Sequence, residues 1–105
     1  MSKNQYRISK QAIDDLNEIW VYTFNKWSKK QADRYYDLII EEIEFIADNY
    51  LVGKPAEQTR KNYRVTKLKS HLIFYRKVEN GIVEIVRILH QRMDIKNTNR
   101  ENMPR

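Results

Sequence analysis

From His71 to Asp94 the chain reads HLIFYRKVENGIVEIVRILHQRMD, two runs of alternating apolar positions on either side of Asn80-Gly81. An Asn-Gly pair tolerates positive φ at both central positions of a two-residue turn, so the pattern predicts a β-hairpin. That turn predicts the register as well. Lys77 should face Glu84, Tyr75 should face Val86, Ile73 should face Ile88 and His71 should face His90, giving one opposite-charge pair and two apolar pairs.

Side chains alternate between faces of a strand. One face of the hairpin should carry His71, Ile73, Tyr75, Val86, Ile88 and His90; the other should carry Leu72, Phe74, Arg76, Ile85, Arg87 and Leu89. Both sets are apolar, and a sheet with one wet face would be polar at alternate positions, so both faces need a cover. The chain's helices would supply one cover, and the second face is a candidate surface for a partner.

Upstream the period changes. Tyr6-Arg7-Ile8-Ser9 reads as a short strand, and Ser9 can cap a helix whose first turn would hold Asp14 and Asp15, with Ile13, Leu16, Trp20 and Phe24 as its apolar stripe to about Phe24. Ser28-Lys29-Lys30-Gln31 has the capping-box spacing, and Ala32, Tyr36, Ile39, Ile43, Ile46, Ala47 and Tyr50 keep one face for about five turns. The short link between the helices predicts an antiparallel helix hairpin. Gly53 and Pro55 end that pattern, residues 52–62 read as a polar, basic loop, and Tyr63–Leu68 reads as a third strand with a turn near Lys69-Ser70. The order β-α-α-β-β-β predicts an α+β domain, an antiparallel sheet packed on a helix hairpin. It should span residues 1–94, with 95–105 as a polar, mobile tail.

Composition narrows this further. A chain of 105 residues holds one modest core, and 41% hydrophobic with 32% charged residues is ordinary for a globular protein. There is no cysteine, which excludes thiolate metal sites and disulfides and fits a reducing, cytoplasmic setting. No apolar run approaches the ~20 residues that span a bilayer, so no membrane association is expected. The net charge is +6, and it is lopsided: residues 1–52 carry 7 Lys/Arg against 9 Asp/Glu, residues 53–105 carry 13 against 5. The sheet and tail form the basic half, suited to an acidic partner or to nucleic acid, though solubility alone accounts for many surface lysines.

Candidate chemistry is sparse. Two glycines leave no room for a phosphate loop or a nucleophile elbow. The pairs Asp14-Asp15 and Glu41-Glu42 read as solvated helix faces, because adjacent helical side chains do not converge. His71 opposite His90 could chelate, but no third ligand accompanies them, so no metal and no cofactor are expected. Arg87 stands in the middle of an apolar strand. It is either a binding residue on the second face, joined by Arg64 if the turn at Lys69-Ser70 adds an odd residue, or an arginine at the rim or paired to an internal carboxylate.

The segments YRIS, WVY, ADRYYDLI, YRV, HLIFYRK and IVRILHQRMD together resemble the ParE toxins of bacterial toxin-antitoxin modules, over roughly residues 6–94. The resemblance implies the RelE/ParE fold and a partner of the ParD-like antitoxin kind. ParE-like members are associated with DNA gyrase and lack a recognised hydrolytic site, whereas RelE-like members cleave messenger RNA on the ribosome with sheet-face cations and a tail Tyr or His. Here Leu72 and Thr66 stand where RelE-like cations are expected, and no tyrosine follows Tyr75. The resemblance therefore implies a non-enzymatic, gyrase-inhibiting toxin, with Leu72, Phe74, Arg76, Arg87, His90 and Arg92 as partner-binding residues. Under the ribonuclease alternative, Arg64, Arg87, His90 and Arg92 would be catalytic. Direct nucleic-acid binding stays open.

Overall fold

In the computed structural model, which describes residues 5–56 and 61–92, a helix hairpin covers one face of a five-stranded sheet. The elements are β1 (Tyr6–Ile8), α1 (Lys10–Lys26), α2 (Lys29–Asp48), a 3-10 turn (Tyr50–Val52), β2 (Lys54–Pro55), β3 (Arg64–Leu68), β4 (His71–Lys77) and β5 (Val83–His90). Strand order is β1-β5-β4-β3-β2. The sheet is mixed, since β1 lies parallel to β5 with Tyr6 opposite Val83, and the other neighbours are antiparallel. The loop expected over 52–62 contains β2, which pairs Lys54 with Val65 and Pro55 with Arg64. The expected tail, 95–105, lies outside the described residues. No helix among those described is long and apolar enough to cross a membrane.

Both predicted caps form. Ser9 Oγ accepts from the Ala12 N–H at 3.0 Å, and Ser28 Oγ accepts from the Gln31 N–H at 3.1 Å, each satisfying an otherwise orphaned donor. In α2 the expected stripe is the buried one, with Ala32, Ile39, Ile43, Ile46 and Ala47 in the core. In α1 it is not. Ile13 and Phe24 are 45% and 44% exposed, and the buried positions are Ala12, Asp15 and Leu16. A helix start at Lys10 also puts Asp14 and Asp15 beyond the first turn, so neither serves the helix end. Asp15 is inside the protein. The α1 pattern misleads at Ile13 and Phe24, which lie to one side of a contact line that runs through Ala12 and Leu16.

The hairpin keeps half of its expected register. His71 faces His90, Leu72 faces Leu89 and Ile73 faces Ile88, but beyond Phe74–Arg87 the pairing shifts, so that Tyr75 faces Ile85 and Arg76 faces Glu84. The loop holds three residues, Glu79–Gly81, and Asn80 (φ 60°) and Gly81 (φ 75°) both take the positive φ that the sequence predicts. That extra loop residue moves the register by one, and a bulge at Val86 restores it. Ile85 therefore faces the helices and Val86 the opposite side, the reverse of the expectation. Glu84 meets Arg76 at 2.8 Å instead of Lys77, and takes Arg7 of β1 at 3.1 Å as well.

The main core lies between helices and sheet and includes Leu16, Ile39, Ile43, Ile46, Ile73, Tyr75, Ile85 and Ile88. The second face does not await a cover. Phe74, Val86 and Leu89 are buried there with Tyr63 and Ala56 in a smaller cluster of the chain's own residues, flanked by half-buried Val65 and Leu72.

Candidate functional site

The bulge and the short β1 leave backbone groups of β5 without strand partners beyond Ile85, and the start of α1 takes them. Ser9 donates its N–H to Ile85 O at 2.9 Å and its hydroxyl to Val86 O at 2.8 Å. Asp15 Oδ2 accepts from the Ile88 N–H at 2.9 Å. The same carboxylate binds Arg87 twice, Nε to Oδ2 at 2.8 Å and Nη2 to Oδ1 at 2.9 Å. With 14% and 8% side-chain exposure, Arg87 and Asp15 form an internal ion pair, and hydrogen bonding to Asp15 raises the Arg87 pKa further against its burial. Of the two sequence readings of Arg87, the geometry is that of the internal pair.

Arg64 lies opposite Tyr75, because the turn at Lys69-Ser70 places Leu68 against His71 and adds no odd residue. It does not join the face of Phe74. Its Nη2 donates to the carbonyls of Gly53 and Leu51, and its guanidinium stacks over Tyr50, which also receives Lys77 at 4.5 Å from its ring centre. Tyr75 closes this corner, accepting from the Gly53 N–H at 2.8 Å and donating to Tyr50 O at 2.7 Å. His71, the partner of His90, is four residues from Tyr75 along β4, roughly 13 Å for an extended strand. The four residues of the ribonuclease alternative are thus not gathered: Arg64 is at one end, Arg87 is inside, and His90 and Arg92 are at the other end.

That other end is where the structure brings polar side chains together. A groove of about 1230 Å³ runs between the helices and the open end of the β4–β5 hairpin, with Tyr35, His71, His90, Lys69 and Arg92 among its lining residues. Lys69 takes positive φ in the turn, and Ser70 O accepts from the Gln91 N–H at 2.8 Å, which closes the hairpin end. The two imidazoles meet edge to face with centroids 5.4 Å apart. Tyr35 OH sits 2.7 Å from His71 Nδ1, and His90 Nδ1 accepts from the Arg92 N–H at 3.1 Å. A ring nitrogen that accepts carries no proton, so neutral His90 holds its proton on Nε2. Burial, and then the neighbouring His90, lowers the His71 pKa; burial raises that of the Tyr35 phenol, opposed by Ser70. Among the described residues there is no group of three or more side chains suited to a metal ion.

The remaining partner-binding candidates divide by burial. Phe74 is 2% exposed, Leu72 is half-buried beside it, and Arg76 is tied to Glu84 and lies over the Tyr63 ring. Sequence reasoning missed Asp15 and Tyr35. The demand of a mid-strand arginine for a carboxylate was the available signal for Asp15, whose position one residue before Leu16 puts it near the buried face. Tyr35 had no comparable signal, since Tyr36 fits the helical stripe better.

A helix hairpin on a mixed five-stranded sheet is the architecture of chains in two solved toxin-antitoxin systems. One is the chromosomal ParDE TA system from P. aeruginosa, with a TM-score of 0.73, 19% identity and coverage of 86% of this chain and 98% of that one. The other is the toxin-antitoxin complex RelBE2 from Mycobacterium tuberculosis, with a TM-score of 0.62, 19% identity and coverage of 86% and 93%. At that identity the likeness is one of fold. The family follows from sequence: residues 6–95 match the model for the ParE toxin of type II toxin-antitoxin system, parDE. Toxin ParE1 of Caulobacter vibrioides is 40% identical over 92 residues, covering 87% of this chain and 93% of that protein. Toxin ParE1 of Mycobacterium tuberculosis is 36% identical over 92 residues, covering 88% and 94%. The chain belongs to the ParE toxin family of type II toxin-antitoxin systems.

Proposed function

We propose that this chain is the toxin of a toxin-antitoxin pair, that it acts by binding and inhibiting DNA gyrase in the cytoplasm without catalysis, and that a ParD-like antitoxin neutralises it. The observation that carries the reading is the match to the ParE family across nearly the whole globular part, residues 6–95. The scatter of Arg64, Arg87 and His90 over separate parts of the fold supports binding over cleavage, because general acid-base catalysis needs its groups within reach of one substrate atom. Purified gyrase with plasmid substrate is the test. The expected result is loss of supercoiling or accumulation of the cleavage complex in proportion to added toxin; full supercoiling at saturating toxin overturns the gyrase target.

A second reading, a ribosome-dependent mRNA interferase, draws on one observation, the contact of Tyr35 with His71 and of His71 with His90 beside Arg92. Such a pair could move protons. If it does so, His90→Ala abolishes growth arrest and mapped transcript cleavage together; arrest that survives with intact transcripts removes this reading.

A further inference from the structure

A second, smaller pocket lies at the other end of the sheet from the two histidines. It holds about 280 Å³ and is lined by Tyr50, Pro55, Asn62, Tyr63, Arg64 and Lys77, which include two cations and no carboxylate. Strand pairing brings those cations together: Arg64 starts β3 opposite Tyr75, and Lys77 ends β4 two residues further on. Both lie over the Tyr50 ring, the guanidinium carbon 5.6 Å and the ammonium nitrogen 4.5 Å from its centre. Like charges gathered on one ring repel each other unless an anion joins them. No carboxylate does so, since neither residue is in an ion pair among the described residues. The partners of Arg64 are neutral: Nη2 donates to the carbonyls of Leu51 and Gly53, and Nε is buried with no acceptor, an uncommon state for such a donor. Lys54, paired with Val65 in the next strand, and Lys61 are exposed beside the pocket and add to its positive field, whereas Asp48 and Glu79 do not line it.

We propose that this corner binds a phosphate group, a free phosphomonoester or a backbone phosphate of nucleic acid, between Arg64, Lys77 and the Asn62 amide. The inference is independent of the toxin's target. The pocket suits a phosphate and not a base. Tyr63 is 2% exposed and the Tyr50 ring is already faced by both cations, so neither offers an open aromatic surface for stacking. Contact with phosphate alone carries no preference for sequence. A planar carboxylate fits less well, because it is held best by two parallel N–H bonds from one guanidinium, and Nη2 of Arg64 is committed to backbone carbonyls. A tetrahedral phosphate takes separate bonds from separate donors, which is what an arginine, a lysine and an amide around one small pocket provide.

The test titrates the isotopically labelled full chain with inorganic phosphate, and separately with acetate at equal ionic strength, and follows the backbone amides by NMR. Phosphate should move the Asn62, Arg64 and Lys77 amides and leave those of His71 and His90 in place, and acetate should move none of them. Lys77→Ala, an exposed change, should raise the phosphate Kd about tenfold, as loss of one charge-assisted hydrogen bond does, with the thermal melt unchanged. A second arm uses a short DNA duplex with 5′-hydroxyl ends. If nucleic acid supplies the phosphate, the duplex moves the same amides, and Lys77→Ala lowers the slope of log K against log salt by about one. If the source is a free phosphomonoester, inorganic phosphate moves them and the duplex does not. An equal response to acetate, shifts spread evenly over the surface lysines, or no shift at all overturns the proposal.

Discussion

Asp15 and Arg87, 72 residues apart in sequence, are bound to each other through two hydrogen bonds of 2.8 and 2.9 Å. The same carboxylate holds the Ile88 N–H, so a single side chain of α1 satisfies both the arginine and the backbone that the β5 bulge leaves unpaired.

Removing one partner of such a pair strands the other. Asp15→Ala should destabilise the fold by about 3–5 kcal/mol, because a buried guanidinium and a backbone N–H both lose their acceptor. The melting temperature should fall by at least ~12 °C. Arg87→Ala should also lower it sharply, whereas a residue used only for binding would leave it within a few degrees. Replacing both with apolar residues of similar volume should recover much of the loss, and chemical denaturation of the four proteins measures the coupling.

Gly53 is constrained by space. A Cβ there would run into the Tyr75 hydroxyl and lie 2.7 Å from the Val65 carbonyl oxygen. Gly53→Ala should therefore be destabilising by more than the small gain that Gly→Ala brings at open sites. Tyr75→Phe should cost about 1–3 kcal/mol by leaving the Gly53 N–H buried without its acceptor. Urea melts of the two single variants and their combination should be clearly less than additive, because both act at one contact.

Gly81 is constrained by its backbone alone. Its φ is +75° and nothing lies within 4 Å of the place a Cβ would occupy. Gly81→Val should cost about 1–2 kcal/mol from the left-handed conformation, and Gly81→Asn, which tolerates that region, should cost less. A loss for Asn equal to that for Val would mean that something other than φ sets the preference.

The lowered pKa of His71 predicts the sign of a pH effect. Its unfolded-state value is about 6.5, so as pH falls below that the unfolded chain binds the proton before the folded one does. Stability is then lost on acidification and is fully present above about pH 6.5. Melting temperatures between pH 5 and 7.5 should show a slope that is reduced in His71→Gln. An unchanged slope in that variant would assign the effect to other groups.

The legible parts of this fold were those set by neighbours in sequence. Ser9 and Ser28 announce their helices because a cap acts over three residues, the α2 stripe is read from a period that repeats for five turns, and Asn80-Gly81 announces positive φ wherever the chain turns. The resemblance of residues 6–94 to ParE toxins rested on such local strings, and the family match at 6–95 agrees with it. The α1 stripe misleads in part: Leu16 is in the core, but Ile13 and Phe24 look like core residues until a sheet is present to show which side of the helix touches it.

What the sequence determined by itself was the order of the elements other than β2, the caps, the presence of the hairpin and the family, all fixed by short-range chemistry. Tertiary structure decided the rest: that a third loop residue is absorbed by a bulge at Val86, that β1 returns parallel beside β5, and that Asp15 leaves the solvent to meet Arg87. It also decided that His71, first aligned with His90 by the register, has Tyr35 as a second partner. These choices depend on which backbone and charged groups lack a partner once the elements pack, and a buried donor without an acceptor costs too much to leave. No string of neighbouring residues records that constraint.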